Sequence, residues 1–250
     1  MAGTNQSILL TAHRGASAYA PENTLAAIRK ALELKAERIE IDVHLTKDFV
    51  AVLLHDRTLD RTTDGSGSVE NYTYQELLQF SAGKKFSDAF RDEKIPTLEE
   101  AIRTVAGQSS LVIEIKAAGK NTPIEKTVVE LLVKHNALSW CIVQSFREST
   151  LLKIHHADPR VRLHKLFVGK IPFLPYIFDG SPVIRPLRKY HFVEEFSVFH
   201  VFATPGLVEG IHRMRKKVNV WTVNDKKTVL KCIRQGIDGV ITNYPDILDQ

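Results

Sequence analysis

The chain reads as an α/β protein, a (β/α)8 TIM barrel with a small insertion after the second strand. Three observations predict this. Short β-branched runs alternate with helical patterns from end to end, the signature of a parallel sheet. About eight such runs share 250 residues, a length that suits a closed barrel. Charged residues also recur two apart near the ends of several runs, where a barrel gathers its functional groups. An open doubly wound sheet is the alternative architecture. No G-x-G-x-x-G loop follows the first run, which counts against dinucleotide binding.

The elements follow in order. Ser7–Ala12 reads as a strand, and Asn23 or Thr24 caps a helix whose apolar stripe is Leu25, Ile28 and Leu32. Ile39–Leu45 is a strand and Phe49–Leu54 a further extended piece. Leu111–Lys116 precedes a helix near Ile124–His135, and Trp140–Ser145 one near Glu148–His156. Val161–Val168 is a strand with a long irregular successor. Ser197–Phe202 precedes a helix near Leu207–Arg215, Val218–Val223 one near Lys226–Gln235, and Gly239–Thr242 closes the series. One interval breaks the rhythm. From His55 to Leu111 the chain is longer than one crossover needs, and it carries the turn-rich run Thr62-Thr63-Asp64-Gly65-Ser66-Gly67-Ser68. Helices near Tyr74–Phe80 and Leu98–Val105 lie within it. The whole of 1–250 is therefore expected to form one barrel domain, with an inserted subdomain at about 56–95 beside the barrel mouth.

Composition excludes several classes. Hydrophobic residues make up 44% and charged residues 25%, which is ordinary for a globular protein. The net charge of +5 favours anionic partners weakly, but the charges are spread along the chain and no basic run marks a nucleic-acid arm. Cys141 and Cys232 have neither disulfide nor metal spacing and read as small core residues. The polar start lacks signal-peptide character, and no apolar run approaches the roughly 20 residues of a membrane span. A cytoplasmic protein is the expectation.

The chemistry-bearing residues stand out by spacing. In Arg38-Ile39-Glu40-Ile41-Asp42-Val43 and Leu111-Val112-Ile113-Glu114-Ile115-Lys116, a strand would place Glu40 with Asp42 and Glu114 with Lys116, each pair on one face. Edge strands with one solvated face would also show this pattern. If the faces are buried, the carboxylates must be paired or hold a metal. Three oxygen donors suit Mg²⁺ or Ca²⁺, with Mn²⁺ a further option. His13-Arg14-Gly15 ends the first strand, His55-Asp56 ends the extended piece after the second, and Trp221 lies near the end of the seventh. Such a set suits phosphoryl chemistry. A cation on Glu40, Asp42 and Glu114 would polarise a phosphoryl oxygen, Arg14 and Lys116 would bind phosphate, and His13 and His55 would divide acid and base roles.

These residues resemble one family closely. His13-Arg14-Gly15, Pro21-Glu22-Asn23-Thr24, Glu40-Ile41-Asp42-Val43, Thr46-Lys47-Asp48, His55-Asp56 and Leu59-Asp60-Arg61-Thr62-Thr63 are similar to the opening of glycerophosphodiester phosphodiesterases. Glu114-Ile115-Lys116, Ser145-Phe146, Trp221-Thr222-Val223-Asn224 and Gly236-Ile237-Asp238-Gly239 continue the match. The resemblance implies a TIM barrel with a small insertion. It also implies metal-dependent hydrolysis of a glycerophosphodiester to glycerol 3-phosphate and an alcohol. By position it makes Glu40, Asp42 and Glu114 the metal ligands and His13 and His55 the acid/base pair, with attack by the substrate's own 2-hydroxyl. Phe146 and Trp221 would line the substrate pocket. Phe49 departs from the family's usual glycine and Asn243 from its commoner aspartate. The stretch Leu166–Phe196 matches no family pattern.

Three features carry competing readings. His44 shares a face with Glu40 and Asp42, but imidazole is a poor partner for Mg²⁺ or Ca²⁺, so a supporting role is expected rather than ligation. His155, His156 and His164 lack an acidic partner in sequence and read as surface or packing residues. The apolar run 171–178 is expected at the same barrel face as the metal. Packing on the insertion or on a second subunit is favoured there over a lid for a lipid-like substrate or a membrane contact. That run keeps a lysophospholipase D-like reading in view. A non-catalytic phosphodiester-binding protein is the reading from another class, and the intact site residues weigh against it.

Overall fold

The computed structural model describes residues 8–116, 122–170, 176–179 and 185–249. Eight parallel strands among them close into a barrel: β1 (Leu9–Ala12), β2 (Arg38–Leu45), β4 (Ser110–Ile115), β5 (Cys141–Ser145), β6 (Arg162–Phe167), β10 (Glu195–Phe199), β11 (Lys217–Trp221) and β12 (Gly239–Thr242). The first strand pairs with both β12 and β2, so the sheet has no parallel edge and the open alternative is ruled out. Between the strands run α1 (Leu25–Glu33), α3 (Leu98–Val105), α4 (Ile124–Lys134), α5 (Glu148–Ala157), α6 (Pro205–Arg213) and α7 (Lys226–Arg234). The remaining strands stand outside the barrel. β3 (Ala51–Leu53) adds antiparallel to the end of β2, while β7 (Gly169–Lys170), β8 (Tyr176–Phe178) and β9 (Arg185–Pro186) form a small antiparallel sheet.

Alternation along each barrel strand sorts the side chains. Ile39, Ile41 and Val43 of β2, and Leu111, Ile113 and Ile115 of β4, join the main core beneath the helices. Glu40, Asp42 and Glu114 point the other way and are also buried, so both faces of these strands are covered. They are barrel walls, not edge strands. Helix starts follow their caps. Thr24, rather than Asn23, accepts from Ala27 N to start α1, and Thr97 with Glu100 forms a reciprocal capping box on α3.

The insertion after β2 has a core of its own, comprising Val52, Leu54, Leu59, Val69, Leu77, Ala82 and Ile95. Its helix α2 (Tyr74–Leu77) is shorter than the pattern predicts. The tenth strand ends at Phe199, and His200–Phe202 turns instead into a 3-10 coil. Strand β6 is followed by the small sheet rather than by an irregular run. Of the apolar stretch 171–178, the first five residues lie outside the described residues. Tyr176 and Phe178 face solvent while Ile177 is buried. At Phe49 the turn after β2 survives without glycine: the backbone takes φ +62°, and the ring is exposed.

The floor of the barrel is ionic. Arg38, the first residue of β2, reaches across to Glu195, the first of β10, with Nη1–Oε2 at 2.7 Å and Nη2–Oε1 at 2.8 Å. Asn219 Nδ2 donates to the same carboxylate at 2.7 Å, and His164 Nε2 lies 3.4 Å from it. His164 is thus a floor residue facing an acidic partner, not the unpartnered histidine that its sequence neighbours suggest. Both ends of the Arg38–Glu195 pair are buried. Removing one end strands the other, which typically costs about 3–5 kcal/mol. Arg38→Ala is expected to lose that much in urea unfolding, and a loss below about 1 kcal/mol would show that the floor tolerates the lone carboxylate.

The same cluster sets a pH dependence. Burial pushes His164 down to about 3, so the folded protein refuses a proton that the unfolded chain accepts below about 6.5. Burial would raise Glu195, but its bonds from Arg38 and Asn219 hold it well below the usual carboxylate range. Both groups therefore withdraw stability as pH falls: His164 from about 6.5 downward, and Glu195 once the unfolded carboxyl protonates near 4.5. The thermal midpoint should fall over this range. The fall between about 6.5 and 4.5 should be shallower in His164→Gln, and an unchanged slope would remove His164 from the account.

Candidate active site

Register assembles the acidic cluster. In the β2–β4 pairing Asp42 lies directly beside Glu114, and Glu40 is two residues below Asp42 on the same face. Carboxylate oxygens of Glu40, Asp42 and Glu114 come within 4.8 Å of one another. Lys116, just past the end of β4, places Nζ 2.8 Å from Asp42 Oδ1 and 2.6 Å from Glu114 Oε1.

The loop from β1 to α1 supplies the second cation and two backbone donors. Arg14 and Gly15 both take left-handed conformations, with φ of 57° and 79°. A side chain at Gly15 would meet Ala27 at 2.6 Å, so only glycine fits. This turn aims Arg14 N at Glu40 Oε2 (3.0 Å) and Gly15 N at the Glu40 carbonyl (3.1 Å). The Arg14 guanidinium lies 3.2 Å from Asp42 Oδ2 and 2.8 Å from Glu22 Oε1. Asn23, also left-handed, donates Nδ2 to Asp42 Oδ2 at 2.8 Å and accepts from Asp42 N at 3.0 Å.

Charge balance follows from these contacts. Burial raises the Glu40 carboxyl well above its ordinary range, and the neighbouring Asp42 and Glu114 carboxylates raise it further. Glu114 is raised by burial as well. Burial would also raise Asp42, but Lys116 and Arg14 outweigh it and hold Asp42 low. Three buried carboxylates thus face two fixed cations. The donor set is all oxygen and short of positive charge, so it fits a hard divalent cation such as Mg²⁺ or Ca²⁺.

Two histidines flank the cluster, each with one nitrogen engaged. His13 Nδ1 lies 2.8 Å from Asn243 Oδ1, so this nitrogen carries the proton and donates. His55 Nδ1 lies 2.6 Å from Asp56 Oδ1 and donates to it likewise. On both rings Nδ1 is thus the engaged nitrogen. Burial, reinforced by Arg14, pushes His13 down to about 4. Burial lowers His55 as well, opposed in part by Asp42 and Asp56.

His13, Arg14, Glu40, His55, Glu114 and Lys116 line one cavity of about 130 Å³, closed on the far side by Gln144, Phe146, Leu166 and Trp221. Asp42 lies immediately behind it. Phe146 and Trp221 meet edge to face at 5.6 Å, and Phe199 extends the aromatic wall toward Phe202. Every residue singled out for the site is thus brought to one end of the barrel. His44 is not a member of the cluster; its Nε2 bonds the His55 carbonyl at 3.1 Å. Several contributors give no signal in sequence. Gln144 turns into the cavity with Oε1 buried and unbonded among the described residues. Lys165, on the outer face of β6, reaches Asp179 and the carbonyls of Leu166 and Phe146, fixing the backbone of the wall. Only the capping-like run Pro21-Glu22-Asn23-Thr24 hints at Glu22 and Asn23.

Solved structures share this architecture. A phosphodiesterase from Oleispira antarctica, determined with the product sn-glycerol 3-phosphate, is 30% identical with a TM-score of 0.84 over 96% of each chain. A glycerophosphodiester phosphodiesterase from Caldanaerobacter subterraneus is 35% identical over 244 residues, covering 96% of each chain, and one from Bacillus subtilis is 30% identical over 261 residues. The fold and these relatives together define a TIM-barrel phosphoric diester hydrolase. The family model for glycerophosphoryl diester phosphodiesterases matches residues 13–247. The chain belongs to that family. No helix among the described residues is long and apolar enough to cross a membrane.

The placement of His44 sets an expectation. His44 meets His55 only at its backbone carbonyl, whereas a positioned acid or base typically carries about 10²–10⁴-fold of activity. In kcat measurements His44→Ala should fall clearly short of His55→Ala. Equal losses would make His44 a direct participant.

Proposed function

We propose that the protein hydrolyses glycerophosphodiesters to glycerol 3-phosphate and an alcohol, using a divalent cation and the histidine pair. The observation that carries this reading is the convergence of His13 and His55, with engaged Nδ1 and free Nε2, on a cavity walled by Glu40, Glu114, Arg14 and Lys116. A phosphodiester anion matches the two cations, and the aromatic wall of Phe146 and Trp221 suits the carbon skeleton of glycerol. The chain's overall likeness to a phosphodiesterase solved with sn-glycerol 3-phosphate supports the glycerol side of the substrate.

The residues divide the work by environment. Glu40, Asp42 and Glu114 would hold the cation, which polarises a phosphoryl oxygen when bound. Arg14 and Lys116 orient the phosphate and balance its charge. His13 is buried against an amide and stays neutral, so its Nε2 takes the proton from the substrate's 2-hydroxyl as that oxygen attacks phosphorus. His55 is backed by the Asp56 carboxylate, which stabilises an imidazolium, so it delivers a proton to the departing alcohol. The product of this step is a five-membered cyclic phosphate. Water then adds to phosphorus, with proton roles reversed, and the ring opens to glycerol 3-phosphate.

Turnover of glycerophosphocholine, read as glycerol 3-phosphate release, tests the reading. Metal-free protein with EDTA should be inactive and recover with Mg²⁺, Mn²⁺ or Ca²⁺, and Glu40→Ala should remove most activity. The 2-deoxy analogue should bind without reacting. Rapid hydrolysis of that analogue would replace internal attack by direct attack of water, and full turnover by the metal-free protein would end the metal assignment.

A further inference from the structure

The inserted subdomain sends one side chain toward the site, and that side chain touches two separate supports of the catalytic groups. Arg61 places Nε 2.6 Å from Asp56 Oδ2 and Nη2 3.3 Å from Asp56 Oδ1. On its other side, Nη1 and Nη2 each lie 2.8 Å from an oxygen of Glu22. Asp56 in turn holds His55 Nδ1 at 2.6 Å, and Glu22 holds the Arg14 guanidinium at 2.8 Å. One planar cation is therefore shared by two carboxylates, one oriented on the catalytic imidazole and the other on the phosphate-binding guanidinium.

The geometry makes this more than a surface ion pair. An isolated exposed pair contributes little, because two long side chains must be ordered for one contact. Here Arg61 meets both carboxylates as a fork, which fixes orientation as well as distance. A lysine has no second planar edge and could not hold both. Asp56 and Glu22 also come from different loops, after β3 and after β1, so neither orients the other without a bridge.

We propose that Arg61 is a positioning residue through which the inserted subdomain aligns the active site: through Asp56 it orients His55, and through Glu22 it holds Arg14 at the phosphate. The proposal rests on the hydrolytic reading above. It gives the insertion a catalytic task and predicts that the two effects separate in kinetics. Loss of imidazole alignment lowers kcat, because His55 acts in the chemical step, while loss of Arg14 alignment raises KM, because Arg14 binds the phosphate throughout.

The test combines kinetics on glycerophosphocholine with the proton spectrum of the 15N-labelled His55 ring. Arg61→Ala should lower kcat by about 10–100-fold and raise KM as well. Asp56→Asn should lower mainly kcat, and Glu22→Gln should raise mainly KM. In the Arg61→Ala/Asp56→Asn double variant, the kcat loss should not exceed the larger single loss, because both act through one ring. Arg61→Lys should recover part of one parameter. Arg57→Ala, which removes a surface pair with Glu70 in the same subdomain, should change neither. The His55 Nδ1–H resonance should shift in Arg61→Ala even without substrate. An unmoved resonance, or unchanged kcat and KM beside an active wild type, would overturn the proposal. A wild type that turns over no glycerophosphodiester would instead overturn the hydrolytic reading, while the resonance still decides the role of Arg61.

Discussion

Buried charge is the constraint around which this barrel is arranged. The inner face of β2 alone carries Arg38, Glu40 and Asp42, all buried. Charges withdrawn from water are tolerated only when other groups replace the lost solvation. The barrel meets this need differently at its two ends. At the floor Arg38 and Glu195 neutralise each other across the lumen, with Asn219 filling a further acceptor site. At the mouth the balance is left incomplete, with three carboxylates against Arg14 and Lys116. The complete end is structural, and the incomplete end is where the proposed cation would be held.

The mouth depends on backbone shape as much as on side chains. Arg14, Gly15 and Asn23 all occupy the left-handed region, which is costly for two of the three. That cost is offset locally, because the strained turn donates Arg14 N and Gly15 N to Glu40 and sets Asn23 against Asp42. The insertion adds support of another kind. Its separate core lets it act as a firm body, and Arg61 carries its position to His55 and Arg14.

The aromatic side of the cavity shows how an outer layer serves an inner one. Phe146 and Trp221 are held edge to face, and Phe199 continues the wall toward the rim. Behind them Lys165 is fully buried yet polar, fastening the Phe146 carbonyl and Asp179 together. A buried ammonium is costly unless its three protons are taken up, and here they are. The small sheet β7–β9 is thereby tied to the barrel near the cavity.

The sequence alone determined the alternation of strands with helices and the shared faces of the acidic residues, because both are written in periodicity; closure into a barrel was decided by the pairing of β1 with both β2 and β12. A strand repeats every two residues, so Glu40 with Asp42, and Glu114 with Lys116, announce a shared face from local order. His13, Arg14 and His55 were legible for a related reason: they sit where strands end. Only the tertiary structure decided which partners those residues have. Asn243 meets His13 from the far end of the chain, Gln144 enters the cavity from β5, and His164 faces Glu195 across a register that no local pattern encodes. Glu22 and Arg61 became a bridge only once two loops of different origin were brought together. Such pairings depend on closure of the barrel and on the stagger of its strands, which join residues from tens of positions apart, as Glu22 and Arg61, to 230 apart, as His13 and Asn243. Periodicity fixes which way a side chain points; closure fixes what it points at.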